Sequence, residues 1–441
     1  MWRGWLLPVV LFLLVLLQAA TIAVTVKAIS PFDEAAHFDY VVQLQHGNFP
    51  VPAGQRYSQE AVQNWACRPI DRAANASLAA LCGEPESAND PRVLFGGINY
   101  EAPFGPIYYA LAALGSAILS VVGVQDFTGA RLVSAVLYAL GAALLLRVAQ
   151  RMAFSSVAAA GVILAASSTG LALSIGATIS PDAMAFLGTA AVIASAVLTR
   201  TWRSALLWTM LVGAVAGLTK PNFILIAVLG TMLLALRWAS FERPSVTGWN
   251  AGRLLRLGAG LSLPVVASAA ASAGWATLAA AGNQTGAPTD GGLHLLLQSS
   301  LGPAARAAEH VWALLRPDGG TAPGPAFTVL DTPLLRAAGL IVVLATLGAC
   351  LCAWLWRMEA DPRSVLVLRA VALAVPVSAV MLVAIYWITY QGGHWTVSRY
   401  ALPFLAAASV GLGATVRRRA AVPVALFGIA VWLAAWVGIV A

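Results

Sequence analysis

The chain has 441 residues, of which 60% are hydrophobic and only 10% charged, with mean hydropathy +0.80 and net charge +8. A soluble domain carries about 25% charged residues, so a cytosolic enzyme, a secreted disulfide scaffold and a disordered chain are excluded. The positive surplus does not point to nucleic acid, because most Arg sits between hydrophobic stretches, where it sets topology.

A bilayer-spanning helix needs roughly 20 apolar residues, and such stretches recur along the whole chain. Helices satisfy their backbone polar groups within one segment, so the expected fold is an all-α polytopic membrane protein. The run from Trp5 to Val26 is too long for a signal peptide and lacks a small-residue cleavage site, so residues 1–27 are read as the first span, with a cytosolic N-terminus. Residues 28–103 form the largest polar segment. Further apolar segments are centred near 114, 139, 165, 192, 211, 230, 268, 345, 377, 408 and 430, with a second polar loop over about 282–331.

Basic turns at Arg147/Arg151, Arg200/Arg203, Arg237/Arg243/Arg253/Arg256, Arg357/Arg363 and Arg417–Arg419 alternate with turns poor in positive charge. The positive-inside trend makes the basic set cytosolic. Both polar loops then lie outside if 104–124, which opens with Pro103, Gly105 and Pro106, rests on the membrane surface without crossing it. This gives eleven spans, an outside C-terminus, and all but Glu242, Glu359 and Asp361 of the 18 acids facing outward. An N-out first span, with 28–103 in the cytosol, is the alternative. The expected units are the first span (1–27), an outer loop with juxtamembrane helices (28–128), a transmembrane core (129–281), a second outer loop (282–333) and C-terminal spans (334–441).

Cys67 and Cys82 fall in the outer loop, where an oxidising compartment allows a disulfide; two unpaired thiols are the other reading. Cys350 and Cys352 lie in a span and read as packing residues. No zinc spacing is present, and no Walker, dinucleotide-binding, His-Glu-x-x-His or serine-elbow motif occurs. His294 and His310 read as surface residues of the second loop. Trp275, Trp312 and Trp395 read as interface anchors, and Trp395 also as a platform for a sugar ring.

Chemistry concentrates directly after the first span, in Ser30-Pro31-Phe32-Asp33-Glu34-Ala35-Ala36-His37-Phe38-Asp39-Tyr40. If 32–46 is helical, Asp33 and His37 share one face. Carboxylates at a low-dielectric boundary are open to tuning for general-base work; the bland alternative is a solvated first turn with acids favoured by the helix dipole.

This Pro-x-Asp-Glu-x-x-His-Phe-x-Tyr pattern resembles the GT-C glycosyltransferases that use lipid-phosphate-linked sugars, among them protein O-mannosyltransferases and lipid A aminoarabinose transferases. The resemblance continues in order. Tyr100-Glu101-Ala102-Pro103-Phe104-Gly105-Pro106-Ile107-Tyr108-Tyr109 is similar to their His-Pro-Pro or Glu-Lys-Pro element before a Tyr-rich helix, and Gly129-Ala130-Arg131-Leu132 to the Arg-containing start of their next span. Ser180-Pro181-Asp182 is similar to their second acidic motif, and Leu218-Thr219-Lys220-Pro221 to their Lys turn. It covers residues 1–235 by motif and the remainder by hydropathy.

The resemblance implies sugar transfer on the extracytoplasmic face of a bacterial-type plasma membrane, from a polyprenyl-phosphate donor to a glycan, glycolipid or protein acceptor, with inversion. Asp33 takes the place of the general base, with Glu34 next in line. His37, Tyr100, Glu101, Arg131, Asp182, Lys220, His394 and Arg399 become donor- or substrate-binding residues, with Arg131, Lys220 and Arg399 on the phosphate. Some members use a divalent cation such as Mg or Mn, which Asp33 and Asp182 would hold. Ser180 replaces the first Asp of their Asp-x-Asp pattern, and Glu101 departs from the common His. A transporter of lipid-linked sugars is the alternative reading, although its ionisable groups belong at mid-membrane. An inactive scaffold is the third.

Overall fold

A computed structural model describes residues 4–30, 33–68, 80–85, 93, 97–242, 251–283, 303–315, 332–356, 358–390 and 398–440. Their secondary structure is helical apart from one isolated antiparallel bridge, Arg56 to Ile98. The first helix, α1 (Leu6–Thr25), is followed by three helices short of a full span: α2 (Glu34–Gln45), α3 (Gln59–Ala66) and α4 (Pro106–Ser120). Cys67 and Cys82 are joined in a disulfide that closes the segment after α3.

Among the described residues eight helices are long and apolar enough to cross a membrane: Leu6–Thr25, Asp126–Ala149, Pro181–Leu198, Pro221–Phe241, Leu257–Ala281, Pro333–Leu355, Pro362–Ala384 and Arg418–Val437. The protein is therefore a multi-pass membrane protein. The difference from eleven has a local cause in each remaining segment. The stretch near 165 is broken into Ser156–Ser167 and Gly170–Gly176, bent by 78°. The helices Trp202–Gly217 and Leu402–Thr415 have only 16 and 14 residues. At 1.5 Å per residue both are shorter than a hydrocarbon core of roughly 30 Å, although Trp202–Gly217 still joins the two ends of the bundle. The 15 residues of α4 fall short in the same way.

Small residues let the helices approach closely, as membrane packing requires where no water is expelled between helices. A Cβ on Gly428 would run into the backbone of Gly161, so Ser156–Ser167 and Ala421–Val440 meet almost backbone to backbone. One buried amide links three helices of the bundle. Gln18 donates to the Trp432 carbonyl at 2.9 Å and accepts from Ser168 at 3.1 Å, which ties α1 to two distant helices. Two expectations change here. Trp275 is only 8% exposed and packs on Phe49, so it is a buried residue and not an interface anchor. His310 is fully buried on the helix Pro303–Leu315, not at the surface.

The polarity of the bundle places the site. Asp126–Ala149, Pro181–Leu198, Pro221–Phe241 and the helix begun by Ser398–Ala401 all present their N-terminal ends on the side where α1 ends. The Arg147, Arg200, Arg237 and Arg417–Arg419 turns fall at the opposite ends of these same helices. Prolines open several of the site-side ends (Pro181, Pro221, Pro403), where the missing N–H costs nothing.

Candidate active site

Asp33 sits between α1 and α2 with φ 63°, the one positive-φ residue other than glycine among the described residues. Asp tolerates this left-handed conformation better than most residues, and strain of this kind gathers at functional sites. The turn pulls Asp33 out of the helix proper, and its carboxylate accepts from the Tyr100 hydroxyl at 2.7 Å and pairs with the Arg399 guanidinium. It keeps 29% of its side chain exposed, whereas Arg399 keeps 6%. Burial alone would raise the Asp33 carboxyl, but the positive charge of Arg399 overrides it and holds the group well below the usual carboxylate range.

Arg399 is shared. Its Nε lies 3.4 Å from Asp182, whose carboxylate also accepts from the Lys220 ammonium at 2.8 Å. Asp182 and Lys220 are almost completely buried. Ser180 caps the short helix Pro181–Met184, accepting from the Asp182 backbone N–H at 3.2 Å, which leaves the Asp182 carboxylate to the two cations. The rings of Phe104 and Tyr400 lie 5.7 and 5.6 Å from the Lys220 nitrogen. Residues 33, 182, 220 and 399, from four separate parts of the chain, thus form one row of alternating charge: Asp33, Arg399, Asp182, Lys220.

His37, one turn on from Asp33, is fully buried, with Nδ1 2.9 Å from the Tyr109 hydroxyl and 3.7 Å from Glu101. Burial and then the nearby Lys220 charge lower the imidazole well below its ordinary value, while burial and the Asp33 charge push Glu101 well above its own. Both shifts run toward the uncharged forms and weaken any ion pairing across this contact. His37 Nε2 and Glu101 Oε2 are buried with no hydrogen-bond partner among the described residues.

Asp33, His37 and Glu101 can each bring one ligand atom within 4.8 Å of the others. Two carboxyl oxygens and an imidazole nitrogen could hold a divalent cation, and the imidazole favours Mn or a borderline transition metal over Mg. Asp182 is committed to two cations.

Glu34 and Arg131 engage each other. Their side chains form a two-pronged ion pair, with both N–H···O distances 2.7 Å and both residues 1% exposed. Glu34 also accepts from the backbone N–H of Ser30 and Ile179, at 2.7 and 2.9 Å. Arg131 donates further to the carbonyls of Val26 and Ala28, at 2.5 and 2.6 Å. Neither is left with capacity for a substrate. Together the two residues expected as second base and phosphate ligand clamp the end of α1, the start of α2 and the approach to Asp182.

The motif reading quoted but gave no role to Tyr109, whose hydroxyl meets His37, and Asp39, which accepts from Asn99 at 2.7 Å and from the Ser58 backbone at 2.7 Å to hold the outer loop together. The sequence carried a signal for Tyr109, since it falls one helical turn inside α4. His394 and Trp395, together with His294 and most of the 282–333 loop, lie outside the described residues, as do the side chains of Trp312 and Tyr390.

No family model and no curated protein matches the chain. Two solved structures are similar to it. ArnT from Cupriavidus metallidurans bound to undecaprenyl phosphate shares 17% identity, covering 98% of this chain and 78% of that one, with a TM-score of 0.40. The same protein in the apo state shares 17% identity over 96% of this chain and 77% of that one, also at 0.40.

Proposed function

We propose that the protein is a membrane glycosyltransferase that moves a sugar from a polyprenyl-phosphate donor to a hydroxyl acceptor, an envelope glycan, glycolipid or protein, on the extracytoplasmic face of a plasma membrane. The observation that carries this reading is the charge row itself. A base at the water-exposed end of the site stands beside two buried cations at the ends of apolar helices. A lipid phosphate arriving from the bilayer meets such a place first. The five sequence motifs in family order support the same reading, and the ionisable groups lie at span ends, not at mid-membrane as a transporter would place them.

In this mechanism the acceptor hydroxyl gives its proton to Asp33 while its oxygen attacks the anomeric carbon. The bond from that carbon to the phosphate oxygen breaks, with inversion, and the lipid phosphate leaves carrying the negative charge. Lys220 and Arg399 receive that charge, Arg399 in two-pronged fashion and Lys220 as a point charge. Arg399 therefore exchanges a carboxylate for a phosphate as the donor binds. Its departure restores basicity to Asp33, which a general base needs near the working pH. A divalent cation on Asp33, His37 and Glu101 would supply Lewis-acid polarisation of the acceptor oxygen.

Mass spectrometry of lipids co-purifying with the wild type and with Asp33→Asn tests the donor class. A polyprenyl-phosphate sugar enriched on the variant is expected; ordinary phospholipid alone on both would overturn the donor assignment.

The coupling of Arg399 to Asp33 has its own check. Arg399→Gln removes the cation that lowers the Asp33 carboxyl in the free enzyme, so the acidic limb of the kcat/KM profile moves to higher pH. The linkage sign is consistent: a depressed carboxyl contributes stability that is present above its unfolded value and lost as pH falls through the folded one. An unshifted acidic limb would separate Asp33 from Arg399.

A further inference from the structure

At the opposite end of the bundle lies a second cavity of about 600 Å³. It is one helix away from the charge row: Trp202–Gly217 runs from this cavity to the Lys220 turn, roughly 24 Å at 1.5 Å per residue. Arg200, Arg237 and Arg363 line it from three different elements, with the hydroxyl-bearing Thr199 and Thr201 and the indole of Trp202 beside them. No carboxylate lines it among the described residues. Two acids on this side are engaged elsewhere, Glu359 with Arg417 and Asp361 with the backbone N–H of Arg363 at 2.8 Å.

Arg237 is the fixed part. It is 7% exposed and donates to the Ala196 carbonyl at 2.9 Å and the Thr199 hydroxyl at 3.2 Å, which sets the shape of the Thr199–Thr201 turn. Arg200 and Arg363 are exposed and make no ion pair among the described residues. A second observation is independent of charge. The two π-helical segments among the described residues, Ala194–Leu198 and Trp238–Glu242, both contribute walls to this cavity. The π-helix is rare and gathers at functional sites.

We propose that this cavity binds the phosphate of an anionic phospholipid headgroup. Basic pockets between transmembrane helices take such headgroups, guanidinium groups match phosphate oxygens in a fork, and Trp202 lies where indoles favour the headgroup level. The cavity volume is that of a small-molecule pocket, which spans roughly 300–1,000 Å³. A free phosphate shares the same chemistry, and the experiment separates the two sources.

The full-length protein in detergent is titrated with phosphatidylglycerol, with phosphatidylcholine and with inorganic phosphate, while bound adducts are followed by native mass spectrometry and stability by thermal unfolding. Phosphatidylglycerol is expected to bind and raise the unfolding midpoint, and phosphatidylcholine to do neither. Arg200→Gln with Arg363→Gln should weaken the anionic lipid roughly tenfold to thirtyfold. Arg200→Lys with Arg363→Lys, which keeps the charge and the fold, should fall between. Arg203→Gln with Arg419→Gln removes the same charge from exposed residues outside the cavity and should change nothing. Stabilisation by inorganic phosphate that depends on Arg200 and Arg363, without lipid binding, would keep the phosphate site and replace its source. Equal weakening in the two glutamine pairs, or lipid binding indifferent to both, would overturn the proposal.

Discussion

Asp33→Asn is expected to lower sugar transfer by about 10²–10⁴-fold, the span that a positioned general base contributes, while leaving the protein folded. The substitution is a clean test because of the backbone. Position 33 holds φ 63°, a conformation in which Asn is among the few side chains at ease, so the amide replaces the carboxylate without disturbing the turn. It also keeps an oxygen for the Tyr100 hydroxyl, which donates to Asp33 at 2.7 Å. Asp33→Ala would confound loss of the base with strain in the turn. The assay is turnover of the sugar lipid found on the variant, alongside the unfolding midpoint. Wild-type turnover by a folded Asp33→Asn protein removes Asp33 from the base role.

Arg131→Ala is expected to cost about 3–5 kcal/mol of stability, the range for breaking one side of a buried ion pair. The cost arises because Glu34 would remain charged at 1% exposure with only two backbone N–H groups to satisfy it, and the Val26 and Ala28 carbonyls would lose their donor. Replacing both partners, Glu34→Gln with Arg131→Met, should recover a good part of the loss, because no uncompensated charge is then left inside. Thermal unfolding and the yield of monodisperse protein report both. If Arg131→Ala keeps wild-type stability but loses transfer, Arg131 returns to the substrate.

The helical, membrane-spanning class was legible from composition and hydropathy alone, because the bilayer demands long apolar segments and those are written contiguously. Segment length was less so: hydropathy near 211 and 408 does not reveal that the helices stop at Gly217 and Thr415. In the site, Asp33, His37, Glu101, Asp182, Lys220 and Arg399 were each visible as polar residues at span ends, where an ionisable group needs a reason to be. Which of them pair was not visible. Glu34 and Asp33 are neighbours in sequence, yet the left-handed turn sends one to Arg131, buried, and the other to Arg399, at the mouth. A motif read as a string does not show this parting; a single dihedral angle sends one acid to the exposed mouth and the other into a buried clamp. Asp39 carried no assigned role because its partners, Ser58 and Asn99, lie far along the chain.

One close contact restricts how such proteins can be recombined. Gly105 lies against the backbone of Leu218 so tightly that a Cβ there would overlap it, and the Ile107 N–H reaches the Leu218 carbonyl at 3.4 Å. The strand of chain that delivers Glu101 and the turn that delivers Lys220 are therefore seated on one another without a side chain between them. A chimera that exchanges the outer loop of one homologue for another must carry the 216–220 turn with it, since the two halves of the site share a single seat.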